Sequence, residues 1–156
     1  MGIRIVYIVI VLIVVIGCSH SEVKSESENP SVTTKFQAYL NEALQSEIGD
    51  EEHFYLFTTE KICELCIDSH FTSFDESKEK LKSEKLTIIS DFPCEKRFEG
   101  DLFQICQYDS LGLFNNYSFP KSYLTLYKTK NGKVDSYVFY KESEKFEVFM
   151  QENNLW

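Results

Sequence analysis

The stretch 53–68, HFYLFTTEKICELCID, constrains the fold of this chain more than any other. Residues 54–57 are an apolar run typical of a buried strand, a short polar turn follows, and Cys63 and Cys66 then open a segment with helical spacing. A strand that delivers a Cys-x-x-Cys pair to the start of a helix is an arrangement suited to thiol–disulfide chemistry. The stretch therefore predicts an α/β domain with two cysteines at a strand-to-helix junction.

The first twenty residues have the pattern of an export signal. Arg4 precedes an uncharged apolar run at 5–16, which is shorter than the roughly 20 residues of a membrane-spanning helix. The sequence Val-Ile-Gly-Cys that ends at Cys18 resembles a bacterial lipoprotein lipobox. The resemblance implies a signal peptide at 1–17, a lipid on Cys18 that anchors the chain to the membrane, and an extracytoplasmic location on the bacterial cell envelope, facing the periplasm or the cell surface. The alternative is an uncleaved signal anchor in which Cys18 is a spare thiol.

Composition separates a tether from a folded domain. Residues 18–31 are rich in Ser and Glu and carry few apolar side chains, so we expect a flexible tether there and one folded domain at 32–156. The whole chain has 25 acidic and 16 basic residues, a formal net charge of −9. Nucleic-acid binding needs clustered Lys and Arg, so this balance argues against a nucleic-acid partner.

Hydrophobic spacing predicts alternating helices and strands in the folded domain. A helix is expected at 33–46, and strands at 54–58 and 86–90 are expected to be parallel because a helix at 63–82 separates them. The pair Asn131-Gly132 between two alternating segments predicts a hairpin. At 102–107 the spacing fits a strand or one to two helical turns, and we favour a strand. The remaining expected elements are a short helix at 110–116, hairpin strands at 123–128 and 134–140, and a helix at 142–152 over which Leu155 and Trp156 fold back.

In this order the elements resemble the thioredoxin fold, and most closely the thioredoxin-like domains of bacterial lipoproteins, over about residues 52–153. Three features carry the resemblance: the strand, Cys-Glu-Leu-Cys and helix unit, the Phe119-Pro120 pair before a strand, and the hairpin followed by a closing helix. The resemblance implies a three-layer α/β fold, with a four- to five-stranded mixed central sheet between helices.

The two cysteines of the motif have different expected roles. A helix N-terminus stabilises a thiolate, so Cys63 is the expected nucleophile, and Cys66, one turn later, is the expected resolver of a mixed disulfide. The Glu64 carboxylate disfavours a second negative charge, which predicts a less acidic thiol and a more reducing pair than a strong oxidant would have. The resemblance implies that Pro120 has a cis peptide bond, and that Phe119 is partly exposed and offers its backbone to an extended substrate.

We therefore expect a membrane-anchored thiol–disulfide oxidoreductase that acts on thiols or disulfides of other envelope proteins, as a monomer and without a cofactor. One alternative is a non-catalytic binding or assembly lipoprotein in which Cys63 and Cys66 form a static disulfide. A metal chaperone is a further alternative, with His70 as an additional ligand. Cys94 and Cys106 are the candidate structural disulfide; they are otherwise unpaired, or act as a relay with the first pair.

Overall fold

The structure is a computed structural model that describes residues 24–25, 30–60, 83–141 and 146–155. Within these ranges the chain is an α/β domain built on one mixed sheet, as the sequence predicts. In chain order the elements are β1 (Lys24–Ser25), α1 (Pro30–Leu44), β2 (His53–Thr58), β3 (Leu86–Ser90), α2 (Gly100–Gln104), β4 (Cys106–Tyr108), β5 (Leu124–Lys130), β6 (Lys133–Phe139) and α3 (Phe146–Glu152). Short 3-10 turns lie at Ser83–Lys85, Cys94–Lys96 and Leu113–Asn115.

The sheet has the strand order β1-β6-β5-β2-β3-β4. The two-residue β1 at one edge is a sixth strand within the expected tether, and the other five agree with the expected four to five strands. β2 lies at its centre, parallel to β3 and antiparallel to β5, and β4 extends the parallel part. The register joins Phe54 to Leu86 and Thr58 to Ser90, which confirms the predicted parallel pairing of 54–58 with 86–90. Both strands are almost wholly buried, which explains why their sequences are apolar rather than alternating.

The predicted hairpin is confirmed as β5 and β6 joined by Asn131 and Gly132. Both turn residues have positive φ, 53° and 69°, as the two central positions of a type I′ turn require. Their backbone N–H groups donate to the carbonyls of Asp50 and Gly49, at 2.9 and 3.1 Å. The tip of the hairpin is thereby fixed to the loop that leads into the central strand.

Alternating side chains divide the core into two layers. We call one side of the sheet the aromatic face; it packs against α1 and holds Phe36, Tyr39, Tyr55, Phe57, Phe114, Phe119, Tyr127 and Tyr137. We call the other the disulfide face; it packs against α3 and holds Leu56, Ile88, Phe92, Cys94, Leu126, Phe149 and Met150, with Cys106 packed against it.

The predicted strand at 102–107 is wrong in its first half. Residues up to Gln104 belong to the helical turn α2, and the strand is β4, which begins at Cys106. Leu102 is buried and Ile105 packs against the same cluster, whereas Phe103 is half exposed. A three-residue spacing places both apolar side chains on one side of a helical turn, which favours a helix over a strand.

Two other boundaries differ. Helix α1 begins at Pro30, within the expected tether; proline is well suited to the first turn of a helix, where its missing N–H has no partner to lose. The expected short helix at 110–116 is a 3-10 turn.

Several expected elements lie outside the described residues: the signal peptide, the helix at 63–82, residues 142–145 and Trp156. Leu155 is buried as predicted. No helix in the described ranges is long and apolar enough to cross a membrane.

Candidate functional site at the carboxyl edge of the sheet

The parallel strands β2, β3 and β4 end side by side, at Thr58, Ser90 and Tyr108. Open α/β sheets bind ligands outside the carboxyl ends of their parallel strands, so this edge is the first place to look for a functional site. The chain passes from this edge into 61–82. The predicted site residues Cys63 and Cys66, like the alternative ligand His70 and the predicted lipidation site Cys18, lie outside the described residues.

The turn after β2 is held from both sides. The Thr59 N–H donates to the carbonyl of Tyr123, at 3.2 Å, and the Glu60 N–H donates to Asp91 Oδ1, at 2.6 Å. The Asp91 N–H in turn donates to the carbonyl of Thr58, at 3.3 Å. The last described residues before Cys63 are therefore tied to the loop after β3 and to the segment that enters β5.

The expected partial exposure of Phe119 is wrong. Its side chain is buried in the aromatic face, with ring centroids 5.7 Å from Phe36 and 5.8 Å from Tyr127. Both contacts are edge-to-face, the arrangement that aromatic quadrupoles favour. The interior offers Phe119 an aromatic pocket that the local sequence does not reveal.

The expected cis peptide bond at Pro120 is also wrong, because no peptide bond in the described residues is cis. The Tyr127 hydroxyl donates to the Pro120 carbonyl and fixes the segment with its bond in the trans form, which is the lower in energy for most X-Pro bonds. Pro120 itself is half buried. Phe119 and Pro120 thus approach the carboxyl edge, but with a side chain and a carbonyl that the interior already uses.

Lys121 lies beside these residues, and the sequence carries no signal for its role. Its Nζ donates to the carbonyls of Phe114 and Tyr117, at 2.5 and 2.8 Å, and lies 5.0 Å from the centroid of the Phe114 ring. Desolvation by burial lowers the pKa of this ammonium group. The charge satisfies carbonyl groups around the 3-10 turn and contacts an aromatic face, so it stabilises the segment that precedes β5.

Asp109 is a buried carboxylate that we did not identify from the sequence. It accepts hydrogen bonds from the N–H groups of Leu113 and Phe114, at 3.0 and 2.7 Å, and from the Tyr39 hydroxyl, at 3.3 Å. Burial, and then the charge of Asp109, raise the pKa of Tyr39. The signal was present, because an Asp directly before a predicted short helix fits the N-cap preference.

Cys94 and Cys106 form a disulfide, with their Cα atoms 6.0 Å apart. Cys94 is buried, whereas Cys106 is half buried on β4, the edge strand. Ser90 lies between them: its Oγ is 3.7 Å from Cys94 Sγ and 3.6 Å from Cys106 Sγ, and the hydroxyl donates to the carbonyl of Phe92 at 2.6 Å. The carboxyl end of β3 therefore carries a disulfide beside a buried hydroxyl.

At the other end of the parallel strands, where β2 and β3 begin, lies a cavity of about 410 Å³. It is lined by acidic side chains such as Asp50 and by His53, Tyr55 and Thr87. His53 Nε2 lies 2.9 Å from Thr87 Oγ1, and burial lowers the pKa of the imidazole. In the described ranges, here or elsewhere, no three His, Cys, Asp or Glu side chains are grouped so that they could hold a metal ion.

No protein-family model, no curated protein and no solved structure matches this chain. Its function is therefore inferred from its own residues and geometry.

Proposed function

We propose that this protein is a membrane-anchored, extracytoplasmic thiol–disulfide oxidoreductase in which Cys63 is the nucleophile and Cys66 the resolver. One observation carries the proposal: the central strand β2 ends at the carboxyl edge of the parallel strands, five residues before Cys63. Ligands of open α/β sheets bind beyond this edge, which supports a reactive group in the segment that follows β2.

The element order supports a thioredoxin-like fold for residues 32–156. A helix, a central strand, a parallel neighbour, a proline segment, a hairpin and a closing helix follow one another as the resemblance requires. Pro120 lies just before β5, whose first residue, Leu124, pairs with Thr58 at the end of β2. The helix that would carry the two cysteines is part of this proposal.

The Cys94–Cys106 disulfide supports the proposed location. Disulfides persist in oxidising compartments outside the cytoplasm and are rare inside it. An exported chain with a lipid on Cys18 would present its folded domain to other envelope proteins, whose disulfides or thiols are the proposed substrates.

In the reducing direction, the Cys63 thiolate attacks one sulfur of a substrate disulfide, and the other substrate sulfur leaves as a thiol after taking up a proton. The Cys66 thiolate then attacks Cys63 Sγ and releases the second substrate thiol. Two electrons pass to the substrate, and Cys63 and Cys66 end as a disulfide. The Glu64 carboxylate beside the nucleophile favours this direction, because it makes the thiolate form less stable.

The direct test traps the intermediate. Cys66→Ser should accumulate mixed disulfides between Cys63 and envelope proteins, visible as bands that disappear with reductant. The Cys63→Ser/Cys66→Ser double variant is the matched control and should show none of these bands. Identical bands from both proteins would refute the proposal.

A pH profile provides the second test. A free thiol with a pKa of about 8.5 is only about 3% ionised at pH 7. A lowered pKa raises the thiolate fraction but weakens the nucleophile, so a single rate at pH 7 distinguishes poorly between the two cases. The midpoint of the iodoacetamide alkylation rate of Cys63 against pH should lie below 8.5 in the Cys66→Ser variant.

The non-catalytic binding lipoprotein is the second candidate, and one observation favours it. The Phe119 side chain is buried and the Pro120 carbonyl accepts a hydrogen bond from Tyr127, so the interior already uses both groups. This candidate expects a Cys63–Cys66 disulfide that survives mild reductant. The reduction potential of the pair, measured in a Cys94→Ser/Cys106→Ser background, separates the two functions.

A further inference from the structure

The two cysteines of the Cys94–Cys106 disulfide differ in exposure. Cys94 is buried at the end of the loop after β3, with 5% of its surface exposed. Cys106 is half buried on β4, at the edge of the sheet, where no further strand is paired with it in the described structure. Since exchange requires attack along the S–S axis on a reachable sulfur, this asymmetry makes Cys106 the site of attack and Cys94 the leaving group.

The leaving sulfur has a hydroxyl next to it. Ser90 Oγ lies within 3.7 Å of both sulfurs, and its proton now bonds the Phe92 carbonyl. Rotation of this hydroxyl lets it donate to a Cys94 thiolate instead. Hydrogen bonds to the charged form of a group stabilise that form, so Ser90 lowers the barrier to departure of Cys94.

Each cysteine is held in place without the S–S bond. On the Cys94 side, the Phe98 N–H donates to the Cys94 carbonyl at 2.9 Å, and the buried rings of Phe92 and Phe98 stack 6.2 Å apart. On the Cys106 side, the carbonyl before it accepts the Ile88 N–H at 2.9 Å, and Asp109 bonds Ser90 at the same distance. The backbone on both sides therefore has contacts that do not depend on the S–S bond, which favours opening and closing of the bond in the folded protein.

Exposed apolar side chains lie close to Cys106 in the sequence. Phe103, Tyr108 and Leu111 are 48%, 42% and 74% exposed, and they are the large exposed apolar residues of this part of the chain. Tyr108 is two residues from Cys106 on β4, so both project from the same face of the strand. A polypeptide that brings a thiol to Cys106 can contact the exposed ring of Tyr108 on the same face.

From these observations we propose that the Cys94–Cys106 disulfide is a second exchange site, which oxidises dithiols of polypeptides by attack at Cys106. A thiolate of the polypeptide attacks Cys106 Sγ, the Cys94–Cys106 bond breaks, and Cys94 leaves as a thiolate that takes up a proton. The second thiolate of the polypeptide attacks the sulfur bound to Cys106, and Cys106 leaves and takes up a proton. The polypeptide gains a disulfide, and this protein gains two thiols.

The test uses full-length chains that carry Cys63→Ser and Cys66→Ser, so that it does not depend on the function proposed above. In this background Cys94→Ser leaves Cys106 and Cys18, and Cys106→Ser, the matched control, leaves Cys94 and Cys18. Oxidised glutathione is the probe, and peptide mass spectrometry locates the adduct. We expect Cys106 to form the mixed disulfide at least about tenfold faster than Cys94, as the difference in accessibility requires. Equal rates would overturn the proposal.

A second measurement keeps the test valid if either of these triple variants is unfolded. The Cys63→Ser/Cys66→Ser protein, with its Cys94–Cys106 disulfide intact, is reduced with dithiothreitol in increasing urea below the unfolding transition. Exchange in the folded state gives a reduction rate that does not change with urea. A rate that rises exponentially with urea would mean that reduction needs unfolding, and would refute the exchange site.

Discussion

The two faces of the sheet are built from different chemistry. The aromatic face is a continuous group of rings between α1 and the sheet, in which Phe36 alone contacts the rings of Tyr55, Phe57, Phe119 and Tyr127. The disulfide face mixes aliphatic and aromatic side chains, and at its carboxyl end Ser90, which pairs with Thr58, lies beside Cys94 and Cys106. The aromatic face therefore contributes mainly packing, and the disulfide face brings a disulfide and a hydroxyl to the end of β3.

The treatment of polar groups shows the same difference. On the aromatic face the buried Asp109 and Thr125 have their hydrogen bonds satisfied, by two backbone N–H groups and Tyr39 for the carboxylate and by Ser122 for the hydroxyl. On the disulfide face the buried Thr58 Oγ1 has no hydrogen-bond partner among the described residues. A satisfied network adds rigidity, whereas an unpaired hydroxyl lowers stability. Four measurements test this contrast.

The largest effect is expected from Phe36→Ala. Phe36 is fully buried at the centre of the ring contacts, and truncation of such a residue costs about 3–5 kcal/mol of unfolding free energy. Urea denaturation measures this loss. Phe103→Ala, at a half-exposed ring, is the control and should cost about 0.5 kcal/mol or less. A loss below about 1.5 kcal/mol for Phe36→Ala would mean that the aromatic face is not the main source of stability.

Asp109→Ala should cost about 2–3 kcal/mol, because it leaves the N–H groups of Leu113 and Phe114 without their acceptor. Asp109→Asn keeps one acceptor oxygen and should cost less. Tyr39→Phe removes only the third hydrogen bond and should cost about 1 kcal/mol. Chemical denaturation of the three variants gives the order directly, and equal losses would show that the carboxylate does not hold the 3-10 turn.

Thr58→Val and Thr125→Val form a matched pair on neighbouring strands. Thr125 Oγ1 accepts from the Ser122 N–H at 2.8 Å, so its loss should cost about 1 kcal/mol. Thr58→Val replaces a buried hydroxyl by a methyl group of the same shape and should leave stability unchanged or raise it by up to about 1 kcal/mol. A loss at Thr58 equal to that at Thr125 would reveal a partner for its hydroxyl in 61–82.

The smallest effect concerns His53 at the amino edge. Burial lowers its pKa below the ordinary 6.5, so below pH 6.5 the unfolded chain takes up the proton before the folded protein does. Stability is therefore lost as the pH falls from 6.5 towards the folded pKa. His53→Gln removes this titration, so its melting temperature should fall less than that of the unchanged protein between pH 7.5 and pH 5. Parallel curves for the two proteins would contradict the assignment.

Local sequence patterns predict the central strands and the hairpin of the sheet correctly. β2 and β3 are short apolar runs bounded by polar turns, and Asn131-Gly132 specifies its hairpin by the positive φ values that this pair tolerates. Each of these signals lies within a few residues of the element it determines. For the same reason, their boundaries in the structure lie within one or two residues of the prediction.

The features that the sequence did not reveal depend on residues far apart in the chain. The burial of Phe119 requires Phe36 on α1, more than eighty residues earlier, and Asp109 is satisfied partly by Tyr39, 70 residues away. At 102–107 the local signal was ambiguous, and contact with the core selected a helical turn at Leu102. The resemblance to thioredoxin-like domains led to the two wrong expectations at Phe119 and Pro120, because a motif position does not determine the packing around it.

The position of β2 at the centre of the sheet has a consequence for how the chain is made. Its pairing with β5 joins His53 to Thr129, 76 residues further on, whereas β5 and β6 pair across a two-residue turn. The hairpin can form locally within microseconds, but the central strand must wait for a distant partner. During synthesis the apolar strand β2 is therefore made long before β5, one of its two neighbours in the sheet. Until β5 is complete, β2 has an unpaired edge that invites aggregation.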